Sequence, residues 1–576
     1  MRTKKELLIT TAIKESHECL DSAVFLGRWC DSENDIVDTI DYHYNDRKKF
    51  NKNHKYISSF YESLIPSISS ALNNYHNTDY STQYWLIIIG PWLKLYISSA
   101  WDRWECLRVA FEKYEFNRTI LINSNIKTNP PNYYNEADYL YGSSHYWNHL
   151  FFSKILKAEY TDKIKIESLV CNNFSSYKTN KDSNKDTIRD LFIYSIDKTL
   201  EIFQISKKVL IFDSYFKLSD LFKVSISLKQ IPRLFKEFNK TINLPDLSIH
   251  RKKFNIIHEQ TNSFELFVIN NIPLDIPVAY IEGYEPLKKE SRAINLKYQS
   301  IFTANAHISN DLFKIFCAEK CNSGQKLVIS QHGGGFHLKH SLNSHEIKIS
   351  DVNIMWGVSN NNKQIGLPSQ KIYYKKVKRK KTGDITIIGV EFPLYTKDHT
   401  SGIHSSATID DYNQKVKFIN NINNEIYKNI KVRPYINCGW NLKKRYIKKF
   451  GSDIISPYKS LIEAFSNSKL IICTYPETTF SEAIYSGVPT IMLFKEEYWE
   501  METKSLEIVN MMKDAKIIFS DPIKAANHIN TVWNNPYDWW DSEKTSNIRN
   551  IFINEFIGDD HRKLTKWIEF FKQLNK

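Results

Sequence analysis

A histidine followed by three glycines, His332 with Gly333, Gly334 and Gly335, closes the apolar run Val328–Ser330. Glycines accept left-handed backbone and let a ligand or a facing segment approach the chain closely. At such a strand end His332 is placed to serve as acid, base or phosphate ligand. The second constellation is LIICTYPETTFSEAIYSGVP, Leu470 to Pro489. It reads as a buried strand, a break at Pro476, a helix capped by Thr478 or Thr479, and a stop at Gly487 and Pro489. A helix N-terminus at the carboxyl end of a parallel strand offers unpaired N–H groups and a dipole that favour a phosphate. Glu477 beside it can accept hydrogen bonds from ribose hydroxyls.

Other clusters mix charge with aromatic rings. FLGRWC (Phe25–Cys30), DYHYNDR (Asp41–Arg47), IGPWL (Ile89–Leu93) and DRW (Asp102–Trp104) fill the N-terminal third. Rings stack on sugars and charged groups bond hydroxyls, so Asp46, Arg47, Asp102 and Arg103 are candidates for an acceptor or sugar pocket, against ordinary core packing. Asp213, Glu282 and Asp46 stand at or near expected strand or loop ends and are candidates for a base or nucleophile. In SHEIKISDVNIMWG, His345, Glu346 and Asp351 fit the fixing of the glycine loop as well as they fit catalysis.

These residues need elements to hold them. Short apolar runs recur along the chain: SAVFLG, YWLIIIG, KKVLIFDS, VAYIEG, SIFTANA, KLVISQHGGG, DITIIGV, KLIICTYPE, PTIMLF and KIIFSD. Stretches of helical spacing lie between many of them, from Asp311 and from Tyr458 for example. This alternation predicts parallel sheets flanked by helices, an α/β fold. Asn172–Lys185 and Tyr395–Tyr412 read as surface loops. The lysine run KIYYKKVKRKK, residues 371–381, reads as a linker between an N-terminal Rossmann-like unit (1–370), which carries the glycine turn, and a C-terminal nucleotide-sugar unit (382–545). Residues 546–576 read as terminal helices that pack back on the body, through Ile551, Phe552, Phe556, Trp567, Phe570 and Phe571.

With 576 residues, 42% of them hydrophobic and 25% charged, the chain has the balance of a globular protein with more than one domain. No run of about 18 apolar residues and no signal-peptide core occurs, which predicts a cytoplasmic protein. The eight cysteines form no CxxC pair and read as reduced thiols. A net charge of +14 invites a polyanion partner, but the lysines are spread along the chain with Asn and Ile. No nucleic-acid motif is present, so no nucleic-acid partner is expected. Residues 371–381 leave room for peripheral contact with the inner face of the cytoplasmic membrane.

The Leu470–Pro489 segment resembles the donor-site motif of GT-B glycosyltransferases. That resemblance places Thr474, Glu477, Thr478, Thr479 and Glu482 at donor-binding positions and adds the glycines at 333–335. The QHG turn resembles capsule-polysaccharide and polyol-phosphate transferases of the same type, in which the histidine faces the substrate. TTA at Thr10–Ala12, FLGRWC, DYHYNDR, YWLIIIGPWL with DRW, IEGYEP, QHGGGF with its HE and WG followers, VRPY at Val432–Tyr435 and TYPETTFSEAIYSGVP together span nearly the whole chain. In that order they resemble a transferase family of bacterial O-antigen and surface-polysaccharide loci. The sequence departs from that pattern at Phe336–His337, where an aromatic residue followed by Gly is expected. The family is distantly similar to capsule enzymes that use CMP-linked ulosonic acids, which implies that Arg433 pairs with a donor phosphate or carboxylate.

The resemblance implies a GT-B-like fold with two Rossmann-like domains facing a cleft, and glycosyl transfer from a nucleotide sugar to a saccharide or lipid-linked oligosaccharide acceptor. No Asp-x-Asp pair occurs, so neither metal nor cofactor is expected. A polyol-phosphate transferase or nucleotide-sugar epimerase is the alternative on the same scaffold, with a non-catalytic polyanion-binding protein behind it.

Overall fold

The computed structural model describes residues 3–18, 22–32, 39–123, 130–170, 195, 197, 199, 206–233, 237–240, 242–294, 296–341, 343–359, 363–372, 376–558 and 562–574. The expected loop Asn172–Lys185 lies outside them.

Three parallel sheets carry the α/β fold. The first contains β1 (Thr3–Ile9), β2 (Ala23–Phe25), β3 (Tyr114–Asn123) and β4 (Lys165–Val170) in the order β2-β1-β3-β4. The second contains β5 (Val209–Ile211), β6 (Ser300–Thr303), β7 (Lys326–Ser330), β8 (Val352–Trp356) and β9 (Gln364–Leu367), in sequential order. The third contains β10 (Asp384–Ile388), β11 (Ile430–Arg433), β12 (Ser468–Cys473), β13 (Thr490–Leu493) and β14 (Ile518–Phe519), in the order β11-β10-β12-β13-β14. The stretch 1–370 thus holds two sheets where one Rossmann-like unit was expected. In the third sheet the order of connection reverses at β10, with β11 on one side of it and β12 on the other, the kind of position at which α/β proteins bind ligands.

The apolar run YWLIIIG, expected as a strand, lies in a helix. Two long helices, α1 (Arg47–His76) and α2 (Thr82–Lys113), pack together, and Trp85, Ile88, Ile89, Trp92 and Leu93 of α2 are all buried. A helix buried on every side shows no amphipathic period, so its apolar run mimics a buried strand. VAYIEG likewise forms a 3-10 turn at Val278–Tyr280. Segment 395–406 is no surface loop: Tyr395, His399, Ile403 and His404 are buried against the N-terminal half, and a helix then starts at Ala407. Its polar composition serves contacts with α1 and α2, since His399 Nε2 bonds the Phe50 carbonyl at 3.2 Å and the Arg103 guanidinium donates to the Thr396 carbonyl.

The remaining helices used below are α3 (Leu218–Ser227), α4 (Asn343–Ile349), α5 (Thr478–Ser486), α6 (Glu543–Phe556) and α7 (Lys563–Gln573). Helix α6 lies on α5 in the third sheet's layer, whereas α7 returns to the second sheet. There Trp567 packs on Phe216 and Phe302 and its indole N–H donates to the Pro368 carbonyl at 2.8 Å. The described part of the basic run is tied down by protein: Arg379 pairs with Asp541, Lys380 donates to Asn467, and Lys376 lies over Tyr485. None of the helices is long and apolar enough to cross a membrane, among the described residues.

Candidate functional site

The carboxyl end of β7 meets the amino end of α5. Between them opens a cleft of about 840 Å³ lined by residues 331–341, Lys371, Thr400, Ser401, Glu477, Thr478 and Glu502. The three glycines exist for this approach. A Cβ on Gly333 would stand 2.5 Å from Thr478 Oγ1, one on Gly335 2.9 Å from the Pro476 carbonyl, and Gly334 has φ of +134°. The backbone of one sheet's loop thereby seats on the helix cap of the other: Gly334 N–H donates to Thr478 Oγ1 at 2.8 Å, and Ser481 Oγ donates to the Gly334 carbonyl at 3.2 Å. Gln331 braces the turn. Its amide donates to the Gly333 carbonyl at 2.9 Å and its oxygen accepts from Trp356 N–H at 2.8 Å. The departure at Phe336–His337 is also absorbed, because Phe336 packs on Phe480, Phe552 and Phe556 while His337 N–H donates to Ser505 Oγ at 2.9 Å.

With Thr478 Oγ committed to Gly334, the helix start offers its backbone instead. The N–H groups of Gly333, Gly335, Thr478 and Thr479 have no protein acceptor among the described residues. Unpaired donors of this kind beside a helix terminus suit an anion, and those of Gly333, Gly335 and Thr478 belong to residues that line the cleft. Glu477, at the cap position of α5, makes no capping bond and turns to the cleft. Its surface is open to water, yet protein surrounds it. That enclosure raises its carboxyl above the usual range; the positive charge of His332 opposes the shift and Asp398 adds to it.

His332 is backed by a buried carboxylate that the sequence left undecided between structure and catalysis. Glu346 on α4 accepts from His307 Nε2 at 3.1 Å, and the same oxygen lies 3.7 Å from His332 Nδ1. Burial alone lowers the His332 pKa, but Glu346 overcomes it and the imidazole titrates above its ordinary value. Burial works to raise the Glu346 carboxyl, and the two histidines hold it far below the usual range. Glu346 Oε2, His307 Nδ1 and His332 Nδ1 lack hydrogen-bond partners within protein. A buried carboxylate with one unsatisfied oxygen and an accessible imidazole in front of it favours the protonated form of that imidazole at the cleft. Lys371 lines the same cleft, and its ammonium lies 4.7 Å from the centre of the Tyr215 ring and 3.5 Å from the His332 carbonyl oxygen.

Several candidates fall elsewhere. Thr474 is buried with its hydroxyl donating to the Ile388 carbonyl at 2.9 Å, so it fastens β12 to β10. Thr479 Oγ1 bonds Tyr475 Oη at 2.7 Å, and Glu482 is buried near Cys473; neither lines the cleft. The Arg433 guanidinium donates to the carbonyls of Tyr458 and Lys459, at 2.6 and 3.1 Å, and does not line the cleft. Glu282 makes a bidentate pair with Arg251, at 2.8 and 2.5 Å, away from the cleft. Asp213 closes β5 in a left-handed conformation, φ +50°, and does not line the cleft.

The acceptor-pocket candidates are structural. Asp46 caps α1 by accepting from the Lys48 and Lys49 N–H groups, both at 3.0 Å. Arg47 clamps α1 to the third sheet's layer through Glu500, at 2.7 and 2.8 Å. Asp102 and Arg103 sit buried at the junction of α2 with segment 395–406. Asp102 accepts from Tyr42 Oη at 2.6 Å, and Arg103 donates to Asn148, Ser99, Tyr141 and Thr396. The one His/Cys/Asp/Glu group with metal-ligand spacing among the described residues, His43, Asp102 and Cys106, lies in this hub. Its carboxylate is already paired with Arg103 at 3.1 Å.

Among curated proteins none matches the chain. One solved structure with similarity is Acinetobacter baumannii MurG, at 10% identity and a TM-score of 0.29 over 51% of this chain and 79% of that one, a likeness too slight to carry argument. The description "LIC12162 family transferase" matches residues 6–571, and the chain belongs to that family.

Proposed function

We propose that this chain is a glycosyltransferase of GT-B-like layout that takes a sugar from a nucleotide-activated donor and adds it to a growing surface polysaccharide. The observation that carries this reading is the presence on one cleft, between the carboxyl ends of two parallel sheets, of the unpaired N–H groups of Gly333, Gly335 and Thr478, of Glu477 and of the Glu346-backed His332. The donor phosphate sits on the N–H groups of the glycine turn and of α5, with Lys371 beside it, and Glu477 accepts from the ribose hydroxyls. As the sugar–phosphate bond breaks, its electron pair stays on the phosphate oxygen. The acceptor oxygen forms the new bond to the anomeric carbon and passes its proton to water in the cleft. His332, cationic because Glu346 stands behind it, donates to the departing phosphate where negative charge grows. Its raised pKa suits an acid rather than a base. The transfer is proposed to run without a metal. Arg433 has no part in it, so an ulosonic acid donor loses the residue that argued for it.

The test is calorimetry and thermal shift against CMP, UDP, GDP and dTDP in EDTA, repeated with Glu477→Ala. One nucleotide stabilises the protein, by about 2.7 kcal/mol at a hundredfold excess over its Kd, and the variant loses the response. Stabilisation that appears only with magnesium overturns the metal-free part. No response to any nucleotide overturns the donor reading.

A further inference from the structure

Helix α3 is apolar on two sides. Val224 and Leu228, just past its end, pack under the second sheet with Trp567 and Phe571, which accounts for one side. The other carries Leu218, Phe222 and Ile226, spaced four apart and therefore in one row along the helix, and they stand 55, 38 and 68% exposed. A ten-residue helix with both faces apolar belongs inside a protein or against another apolar phase, and here one face is open to solvent.

Two features say what that phase is. Lys217, Lys223 and Lys229 flank the row and are exposed, with Asp220 as the acidic residue on the helix, in a chain whose net charge is +14. The row also begins three residues from a neighbour of the cleft. Leu218 follows three residues after Tyr215, whose ring lies under the cleft residue Lys371, and Tyr215 is fixed there by a left-handed backbone, φ +60°. Exposed aliphatic and aromatic side chains rimmed by lysines match the boundary between headgroups and acyl chains of an anionic bilayer. A second protein partner would more commonly bury a row depleted of lysine.

We infer that α3 lies in the surface of an anionic membrane, with Leu218, Phe222 and Ile226 among the acyl chains and the lysines at the phosphates, so that the cleft opens beside the lipid surface. This deepens the proposed function by specifying the acceptor as lipid-linked, and it rests on that reading only for the acceptor, since the docking itself is read without it.

The experiment is co-sedimentation of the full chain with large vesicles of phosphatidylcholine containing roughly one-third phosphatidylglycerol, with pure phosphatidylcholine alongside. The protein partitions onto the anionic vesicles, and added salt weakens binding. The combined variant Leu218→Ser, Phe222→Ser, Ile226→Ser binds about tenfold or more weakly at an unchanged melting temperature. Lys223→Glu with Lys229→Glu abolishes the preference for anionic lipid. The inference is overturned if the wild-type chain stays in the supernatant, or if the folded triple variant sediments like wild type. It is also overturned if sedimentation velocity shows a dimer that the triple variant dissolves, because a second copy then covers the row. Nucleotide stabilisation through Glu477 is read separately on the same proteins, so failure at the membrane and failure at the cleft are distinct outcomes.

Discussion

Two clusters in this molecule each set a buried carboxylate against histidine and end up opposite in character. At the junction of α2 with segment 395–406, the Asp102 carboxylate is shared by Tyr42, His43 and Arg103, and Arg103 spends its donors on Ser99, Asn148, Tyr141 and Thr396. Near the cleft, Glu346 has one oxygen between two histidines and one with no partner. The first cluster is closed and the second stops at an accessible imidazole. Both clusters leave a histidine nitrogen without a partner, at His43 Nδ1 in the first and at His307 and His332 Nδ1 in the second, so access to the cleft, 0% for the His43 side chain against 35% for His332, separates the cluster that joins α2 to segment 395–406 from the one that opens on the cleft.

The strongest way to break this contrast is to delete one member of each. His332→Ala lowers turnover about 10²–10⁴-fold while the melting temperature stays within a few degrees, measured as nucleotide release from the donor that the binding screen identifies. A collapse of the fold instead would place His332 with the closed cluster. Arg103→Ala leaves the Asp102 carboxylate buried beside unpaired carbonyls and costs about 3–5 kcal/mol by urea denaturation, with loss of folded protein at moderate temperature. An Arg103 variant of normal stability and impaired turnover would reverse the assignment.

Glu346→Gln sharpens the contrast. Because Glu346 raises the His332 pKa, the wild-type imidazolium persists to a higher pH than an ordinary histidine. The stability it contributes is complete below the unfolded-state value and is lost as pH rises through the folded one. In the glutamine variant the alkaline limb of the pH–turnover profile moves to lower pH, and turnover at neutral pH falls about tenfold. A profile that falls in amplitude without moving would mean that Glu346 only shapes the loop.

The sequence showed the active half of this contrast better than the structural half, for a physical reason. The segment from Leu470 to Pro489 and the turn at His332 are local: strand, break, cap and stop follow one another within a few residues, so their grammar is legible. The alternation of apolar runs likewise made the α/β class readable. The roles of Arg103, Glu282, Arg433 and Thr474 depend on partners 293, 31, 25 and 86 residues away, which no local pattern encodes. YWLIIIG misled because complete burial erases the periodicity that tells helix from strand. The separate first sheet was missed for a related reason: its strands resemble those of the second, and only pairing reveals where one sheet ends.

The weakest expected effect reaches the histidines of the closed regions. His149 is locked neutral: its Nε2 accepts from Ile122 N–H at 2.9 Å and its Nδ1 bonds Thr11 Oγ1 at 3.1 Å. Burial, with a smaller contribution from His17, pushes its pKa down to about 4. Burial alone does the same to His337. These groups take up protons in the unfolded chain before the folded one. Each therefore removes stability as pH falls from about 6.5 toward 4, by roughly 1.4 kcal/mol per pH unit where the difference is fully expressed. Urea denaturation between pH 7 and 5 should show that decline before most carboxylates titrate. His149→Gln keeps an acceptor for the Ile122 N–H but cannot be protonated, so it should flatten the decline by about 2 kcal/mol across that interval. An unaltered slope would show that His149 is protonated in the folded protein and would move it from the closed set to the open one.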